Sequence, residues 1–293
     1  MGKRQNQVPH SYAPLLPPCK GPKLHAFKHQ DSPIKWGPRL DEKRTDASGI
    51  QGFVFEVEIE SRRYALKVFK FSHPADSKNF WGAYLGDDCP LNEALYYTDP
   101  FYAECRAYGC IQKARVKGQI GKREKIAVGC HGYLLLKEKD KRRLERMGLD
   151  LCSDVIDDDL FQALGQDVRI RAIVKDLEVD HRGLNSKNIH ETFRRVIRLS
   201  YLKIYNNDIR AENFMNCRLV DFGRAWTEPH AILEAMDEVG ARTRRRKDRV
   251  NFEEMIEDEG IKTTLKALLV PEPEYQLRSR GEPEWANPEL PQS

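Results

Sequence analysis

Asp208, Asn213 and Asp221 are the residues of this chain whose types and spacing best suit chemistry. Asp208 and Asn213 stand five apart in D-I-R-A-E-N, and Asp221 opens D-F-G eight residues after Asn213. Phe214–Met215 and Arg218–Val220 can pair across an Asn216-Cys217 turn, which would bring Asn213 and Asp221 to one end of a hairpin. Two oxygen ligands so placed suit magnesium, which takes a few hard carboxylate or amide oxygens together with phosphate. Two unrelated polar residues on a surface turn are the plain alternative. Upstream, Ala65 and Lys67 are two apart in the apolar run YALKVFKF, so on a strand they share a face. A lysine aimed into a cleft loses charge through desolvation unless a carboxylate sits beside it. Glu104, on a helix-spaced stripe with Phe101 and Tyr108, is the expected partner; Glu93 is the alternative.

These side chains need elements to hold them. From Phe53 to Ile59 apolar residues alternate with Glu56 and Glu58, the period of a half-buried strand. A turn at Ser61 to Arg63 and a second strand from Tyr64 to Phe71 complete an antiparallel hairpin. Residues 74 to 99, rich in Asp, Pro and Gly, read as an inserted loop with a short helix. The helix carrying Glu104 follows. Ile126 to Leu136 and Val168 to Lys175 read as strands, with an exposed helix at KEKDKRRLER between them. Phe193, Val196, Ile197, Ser200 and Ile204 form a further helical stripe.

Length and composition set the outer limits. With 293 residues and 40% hydrophobic content, the chain can bury one substantial core. No stretch reaches the roughly 18 apolar residues of a membrane helix, and MGKRQNQVPH lacks a signal-peptide core, so a nuclear or cytoplasmic location is expected. Asn6 stands where a myristoylated start carries Ser or Thr. The seven cysteines are odd in number and form no C-x-x-C pair, which fits a reducing compartment. Cys105 and Cys110 could in principle ligate a metal, but no second Cys or His pair has matching spacing, so they read as core positions of a helix, and metal binding by His25 and His29 in their Pro-rich segment is equally disfavoured. A net charge of +4 is too small for a nucleic-acid binder, so direct nucleic-acid binding is not expected. The basic run Arg242 to Arg249 reads as a solvated face, with a docking patch as the alternative.

D-I-R-A-E-N followed by D-F-G resembles the catalytic loop and metal-binding motif of the protein-kinase superfamily, and Y-A-L-K resembles its lysine strand. Gly49-Ile50-Gln51-Gly52-Phe53-Val54 stands where that superfamily carries G-x-G-x-x-G-x-V, with Ala47 in place of the first glycine. Phrases such as ALKVFKF, ECRAYG, CHGYL, DIRAEN and LVDFGRAW resemble most a fungal group of kinase-like, Fta-type kinetochore subunits. The resemblance implies an α+β, bilobal kinase-like fold, with a five-stranded antiparallel N-lobe sheet and a reduced, mainly helical C-lobe. It implies ATP and Mg2+ as cofactors, with Gly49, Gly52, Val54, Ala65, Lys67 and Glu104 around the nucleotide and Asn213 and Asp221 on the metal. Asp208 would accept the proton of the attacking hydroxyl, with Lys67 and Arg210 as the cations facing phosphate. Asn206-Asn207 replaces the usual His-Arg pair, which removes the usual partner of an activation-loop phosphate.

The expected organisation is a Pro-rich arm outside the core over residues 1 to 45, an N-lobe over 46 to 176, a reduced C-lobe over 177 to 270 and an irregular tail over 271 to 293. Helices over 229 to 240 and 251 to 269 would cover the lower lobe. Only 72 residues follow Asp221, too few for a full peptide groove. The expected function is phosphotransfer from Mg-ATP to a Ser or Thr hydroxyl. The alternatives are a pseudokinase scaffold in a nuclear or kinetochore assembly and a small-molecule phosphotransferase of the aminoglycoside or choline kinase type. Protein partners and no membrane contact are expected.

Overall fold

The computed structural model describes residue 16 and residues 20–42, 51–121, 123–178 and 183–268. The expectations placed on Ala47, Gly49 and the 271–293 tail lie outside the described residues.

The alternation of Phe55, Val57 and Ile59 with glutamates does form a strand, and it stands second from one edge of a five-stranded antiparallel sheet. The strands are β1 (Lys35–Arg39), β2 (Gly52–Ile59), β3 (Arg62–Phe69), β4 (Cys130–Leu135) and β5 (Arg171–Asp176), in the order β1-β2-β3-β5-β4. Glu60 and Ser61, both at positive φ (50° and 59°), turn β2 into β3. That backbone matches the strand twist.

The fold is α+β, and β1 revises the reading of the first 45 residues as an arm outside the core. β1 pairs with β2, Trp36 opposite Val57, and the Trp36 ring meets Phe55 edge-on at 5.2 Å. Leu24 and Phe27 are each only 2% exposed. Phe27 N–H donates to the Tyr133 carbonyl at 2.7 Å, so this segment docks on β4. Two glycines admit it: a Cβ at Gly109 would stand 2.5 Å from the Lys23 carbonyl carbon, and one at Gly132, where φ is 135°, would stand 2.6 Å from Phe27 N. The prolines concealed this strand from pattern reading, since Pro38 is tolerated only because β1 is an edge strand.

Helices α1 (Lys78–Leu85) and α2 (Leu91–Thr98) fill the insertion expected as a loop with one helix. Helix α3 (Pro100–Val116) follows, capped by Asp99, whose Oδ1 accepts from Phe101 N–H at 2.9 Å. The other Asp99 oxygen takes Arg171 of β5 at 3.0 Å, so the cap also ties α3 to the sheet. Helices α4 (Glu138–Arg146) and α5 (Asp158–Ala163) flank the sheet.

β4 begins four residues later than the sequence suggests, because Ile126–Gly129 leaves the sheet: Val128 N–H donates to the Leu219 carbonyl at 3.1 Å. Beyond β5 come α6 (Ile189–Tyr201), β6 (Ile204–Tyr205), β7 (Phe214–Met215), β8 (Arg218–Leu219), β9 (Trp226–Thr227), α7 (Ala231–Ala235) and α8 (Glu238–Asp258). β7 and β8 form the expected hairpin, with Asn216 and Cys217 at positive φ (50° and 62°). The two or three helices expected within 229–240 and 251–269 take different bounds: a short α7 and one helix of 21 residues that includes the basic run. Its partners tether it: the Arg244 guanidinium lies 4.4 Å over the Trp226 ring, and Arg245 pairs with Glu228 at 3.0 Å.

One apolar cluster runs across one face of the sheet through Phe27, Phe55, Leu66, Leu134 and Val174. A larger one joins the sheet to α3 and the later helices through Phe69, Phe101, Tyr108, Ile173, Phe222 and Phe252. No helix among the described residues is long and apolar enough to cross a membrane.

The docked segment should behave as core. Phe27→Ala is expected to destabilise by about 3–5 kcal/mol in urea unfolding, while Val116→Ala, 89% exposed, should stay within about 0.5 kcal/mol. Equal, small effects would mean that the segment does not contribute to the folded core.

Candidate functional site

Strand register decides which side chains share the cavity. β2 sets Val54 opposite Lys67, and β5 sets Lys175 opposite Ala65. Val54, Ala65, Lys67 and Lys175 line one pocket with Val128, Met215, Val220 and Asp221. The pocket therefore has apolar walls from the sheet and the β7–β8 hairpin, and a charged end.

At that end Lys67, 5% exposed, reaches two carboxylates. Its Nζ is 3.0 Å from Glu104 Oε2 and 2.7 Å from Asp221 Oδ1. Burial pushes the Lys67 ammonium toward deprotonation, but Asp221 and Glu104 outweigh it, and its pKa stands above the ordinary value. Burial acts on Asp221 in the opposite sense to its cationic neighbours; Lys67 and Lys175 prevail and hold its carboxyl well below the usual range. Both groups are therefore charged at neutral pH. Glu93 is exposed on α2, so the choice between the two glutamates falls to Glu104, which is fully buried on α3.

The lower half of the site hangs from the loop before β7. Val220 N–H donates to the Asn213 carbonyl at 3.0 Å, which places Asn213 beside Asp221 as the hairpin required. The Asn213 amide donates to the Asp208 carbonyl at 2.9 Å and to Asp208 Oδ2 at 3.1 Å. Asp208 also receives Arg210, Nε to Oδ1 at 3.0 Å, and Arg210 extends to Glu212 at 3.1 Å. Lys67, Glu104, Asp208, Arg210, Asn213 and Asp221 thus form one contiguous set.

Several residues of the site carried no signal in the sequence. Asn206, noted only as a departure from pattern, donates its amide to the Asp221 carbonyl at 2.7 Å. Asp248, inside the basic run, accepts from Asn206 N–H and Asn207 N–H, each at 2.7 Å. It pins the loop carrying Asp208 to α8 from 40 residues away in sequence, where only cations surround it. Lys175 looked like an ordinary strand residue. Its Nζ contacts Glu104 Oε1 and donates to the Val220 carbonyl at 2.6 Å.

Gly52 opens β2 because a Cβ there would meet the Val68 carbonyl at 2.0 Å. The loop residue before it, Gln51, points at the site: a Cβ on Gly223 would lie 1.8 Å from Gln51 Oε1. That oxygen is buried without a hydrogen-bond partner, an acceptor aimed at the Asp221–Gly223 turn and suited to a cation or donor there. No group of three or more His, Cys, Asp or Glu among the described residues suits a metal by itself. Asn213 and Asp221 fit a magnesium ion that shares its shell with phosphate oxygens, because magnesium takes few protein ligands.

The family described as kinetochore Sim4 complex subunit FTA2 matches residues 13–226, a span that includes every candidate residue except Asp248. No curated protein matches. Among solved structures, vaccinia related kinase 3 is similar over 72% of this chain and 53% of that chain, at 10% identity and a TM-score of 0.33. This chain thus spans about half the length of that protein, and a likeness so distant carries no argument.

Asp248 supplies a test of the loop anchor. Burial pushes its carboxyl up to about 6, with the N–H groups of Asn206 and Asn207 pulling the other way. Its folded pKa exceeds its unfolded one, so the stability it adds is complete below the unfolded value and lost as pH rises through the folded one. In urea melts, wild-type stability relative to Asp248→Asn should therefore fall by on the order of 2–3 kcal/mol between about pH 4 and 7. Parallel pH curves would remove Asp248 as a buried titrating anchor.

Proposed function

The chain belongs to the kinetochore Sim4 complex subunit FTA2 family, and we propose that it serves that complex as an atypical, bilobal protein-kinase-like protein that binds Mg-ATP. The observation that carries this reading is the convergence of Lys67 from the sheet and Asp221 from just after β8 on one pocket, with Glu104 of α3 buried behind Lys67 and paired with it. Membership in a kinetochore complex family argues for a nuclear location and protein partners.

Bound Mg-ATP would supply the transferable phosphoryl group. In the pocket Val54, Ala65, Val128 and Met215 offer apolar walls to a planar base. Lys67 would pair with phosphate oxygens, and Asn213 and Asp221 would give magnesium its protein oxygens. Asp208, held by Asn213 and Arg210, is the group to accept the proton of an attacking Ser or Thr hydroxyl. Arg210, paired with Asp208, would be a further cation facing the transferred phosphate.

A second reading, a scaffold that binds nucleotide with weak or no transfer, has its own support. α1 packs on α7, and Phe80 of α1 lies 6.2 Å from Trp226, ring to ring. α1 thereby meets the chain at Trp226, five residues after Asp221, on the segment where an acceptor peptide would have to approach.

Purified protein should gain about 2.7 kcal/mol of stability at Mg-ATP a hundredfold above its Kd, read as a thermal shift that Lys67→Ala and Asp221→Ala abolish. Absence of any shift at millimolar Mg-ATP would defeat the nucleotide reading. Autophosphorylation lost in Asp208→Asn, with the thermal shift kept, would select the enzyme over the scaffold.

A further inference from the structure

The pocket contains a second lysine to which the proposed chemistry gives no task. Lys175 is next to last in β5 and stands across the ladder from Ala65, so it enters the pocket from the strand beside Lys67's own. It is as buried as Lys67, 5% exposed. One lysine and one glutamate would already neutralise each other here; a second ammonium is sustained only by definite partners.

Those partners are distributed in a telling way. Glu104 divides its carboxylate, giving Oε2 to Lys67 and Oε1 to Lys175. Asp221 Oδ1 receives Lys67 and the Gly223 N–H. Lys67, Lys175 and Glu104, all buried, and the half-buried Asp221 therefore form a set of two positive and two negative groups. Lys175 also donates to the Val220 carbonyl at 2.6 Å, on the residue just before Asp221, and lies 5.5 Å from the centroid of the Tyr108 ring on α3. It thus ties β5, α3 and the backbone that delivers Asp221, whereas Lys67 reaches the Asp221 side chain itself.

We propose that Lys175 is a positioning residue that takes over from Lys67 the holding of α3 and of the Val220–Asp221 backbone, which leaves Lys67 free to turn to a ligand phosphate. This rests on the nucleotide reading above. A lysine that alone neutralised Glu104 could not turn to phosphate without thinning the charge on a fully buried carboxylate. With Lys175 in place, Glu104 keeps a cation whatever Lys67 does. Asp221 keeps its place because the carbonyl preceding it is bonded to the same ammonium.

The division of labour predicts different phenotypes for two buried lysines in one pocket. In calorimetric titrations of the full chain, Lys67→Ala should weaken ATP by at least about tenfold both with and without Mg2+. It should lower the ligand-free melting temperature less than Lys175→Met does. Lys175→Met should leave Mg2+-free ATP affinity within about threefold, yet cut the gain in affinity that Mg2+ confers by about tenfold or more, because Asp221 loses its backbone support. Lys175→Arg, which keeps charge and donors, should restore the Mg2+ dependence where a merely space-filling role would favour Met. Lys175→Gln replaces Lys175→Met if the latter does not fold. Matching profiles for the two lysines, wild-type Mg2+ dependence in Lys175→Met, or no rescue by Arg would overturn the proposal. If wild type binds no ATP at all, the nucleotide reading fails instead. The holding role is then decided by a ligand-free double-mutant cycle, in which coupling of Lys175→Met to Glu104→Gln must exceed that of Lys67→Met to the same change.

Discussion

Glu104 is the residue on which the rest of the site depends. It is a fully buried carboxylate on a helix, and it has two ammonium groups, one per oxygen, from two neighbouring strands. A buried charge of this kind is tolerated only with partners fixed in place. The requirement therefore runs outward: α3 must lie against β3 and β5, and the sheet register must keep Lys67 and Lys175 on one face. Asp221 must arrive from the far side to balance the second lysine. Asp99 serves the same end at the start of α3, capping the helix with one oxygen and binding Arg171 of β5 with the other.

The helical part meets this constraint through backbone bonds. Val220 N–H and the Asn213 carbonyl, Asn206 and the Asp221 carbonyl, and Asp248 with the amides of Asn206 and Asn207 lead in sequence from the pocket to the middle of α8. Each joins a residue of the site to an element with its own apolar core contacts. The short strands β6 to β9 are two residues each, so the precision of the site comes from these bonds more than from regular sheet. α8 is held in turn by Phe252 and Met255 in the larger core, and by Arg244 stacked on Trp226.

The helices inserted before α3 bear on how such a site is controlled. α1 touches α7 and α2 touches both α3 and α5, so the insertion spans from the sheet side to the segment after Asp221. That packing holds α3 from its N-terminal end by apolar contact, without requiring an added charge to order a loop.

Much of this was legible in the residues, and what was not had a physical reason. The period-two pattern of Phe55, Val57 and Ile59 and the turn at Asn216-Cys217 are local quantities, set by backbone geometry, so the β2–β3 hairpin and the β7–β8 hairpin between Asn213 and Asp221 followed from sequence alone. Lys67 and Ala65 on one strand face are local in the same sense. Whether Glu104 or Glu93 meets Lys67, that β1 and the Leu24–Phe27 segment complete the sheet despite their prolines, and that Lys175 and Asp248 belong to the site were decided only in three dimensions. Those facts depend on register and on contacts between residues from 16 apart, as Arg39 and Phe55 are, to 106 apart, as Phe27 and Tyr133 are. A lysine in a strand or an aspartate in a basic helix has the same local appearance whether its partner is water or a buried carboxylate or amide, and only the packed fold distinguishes the two.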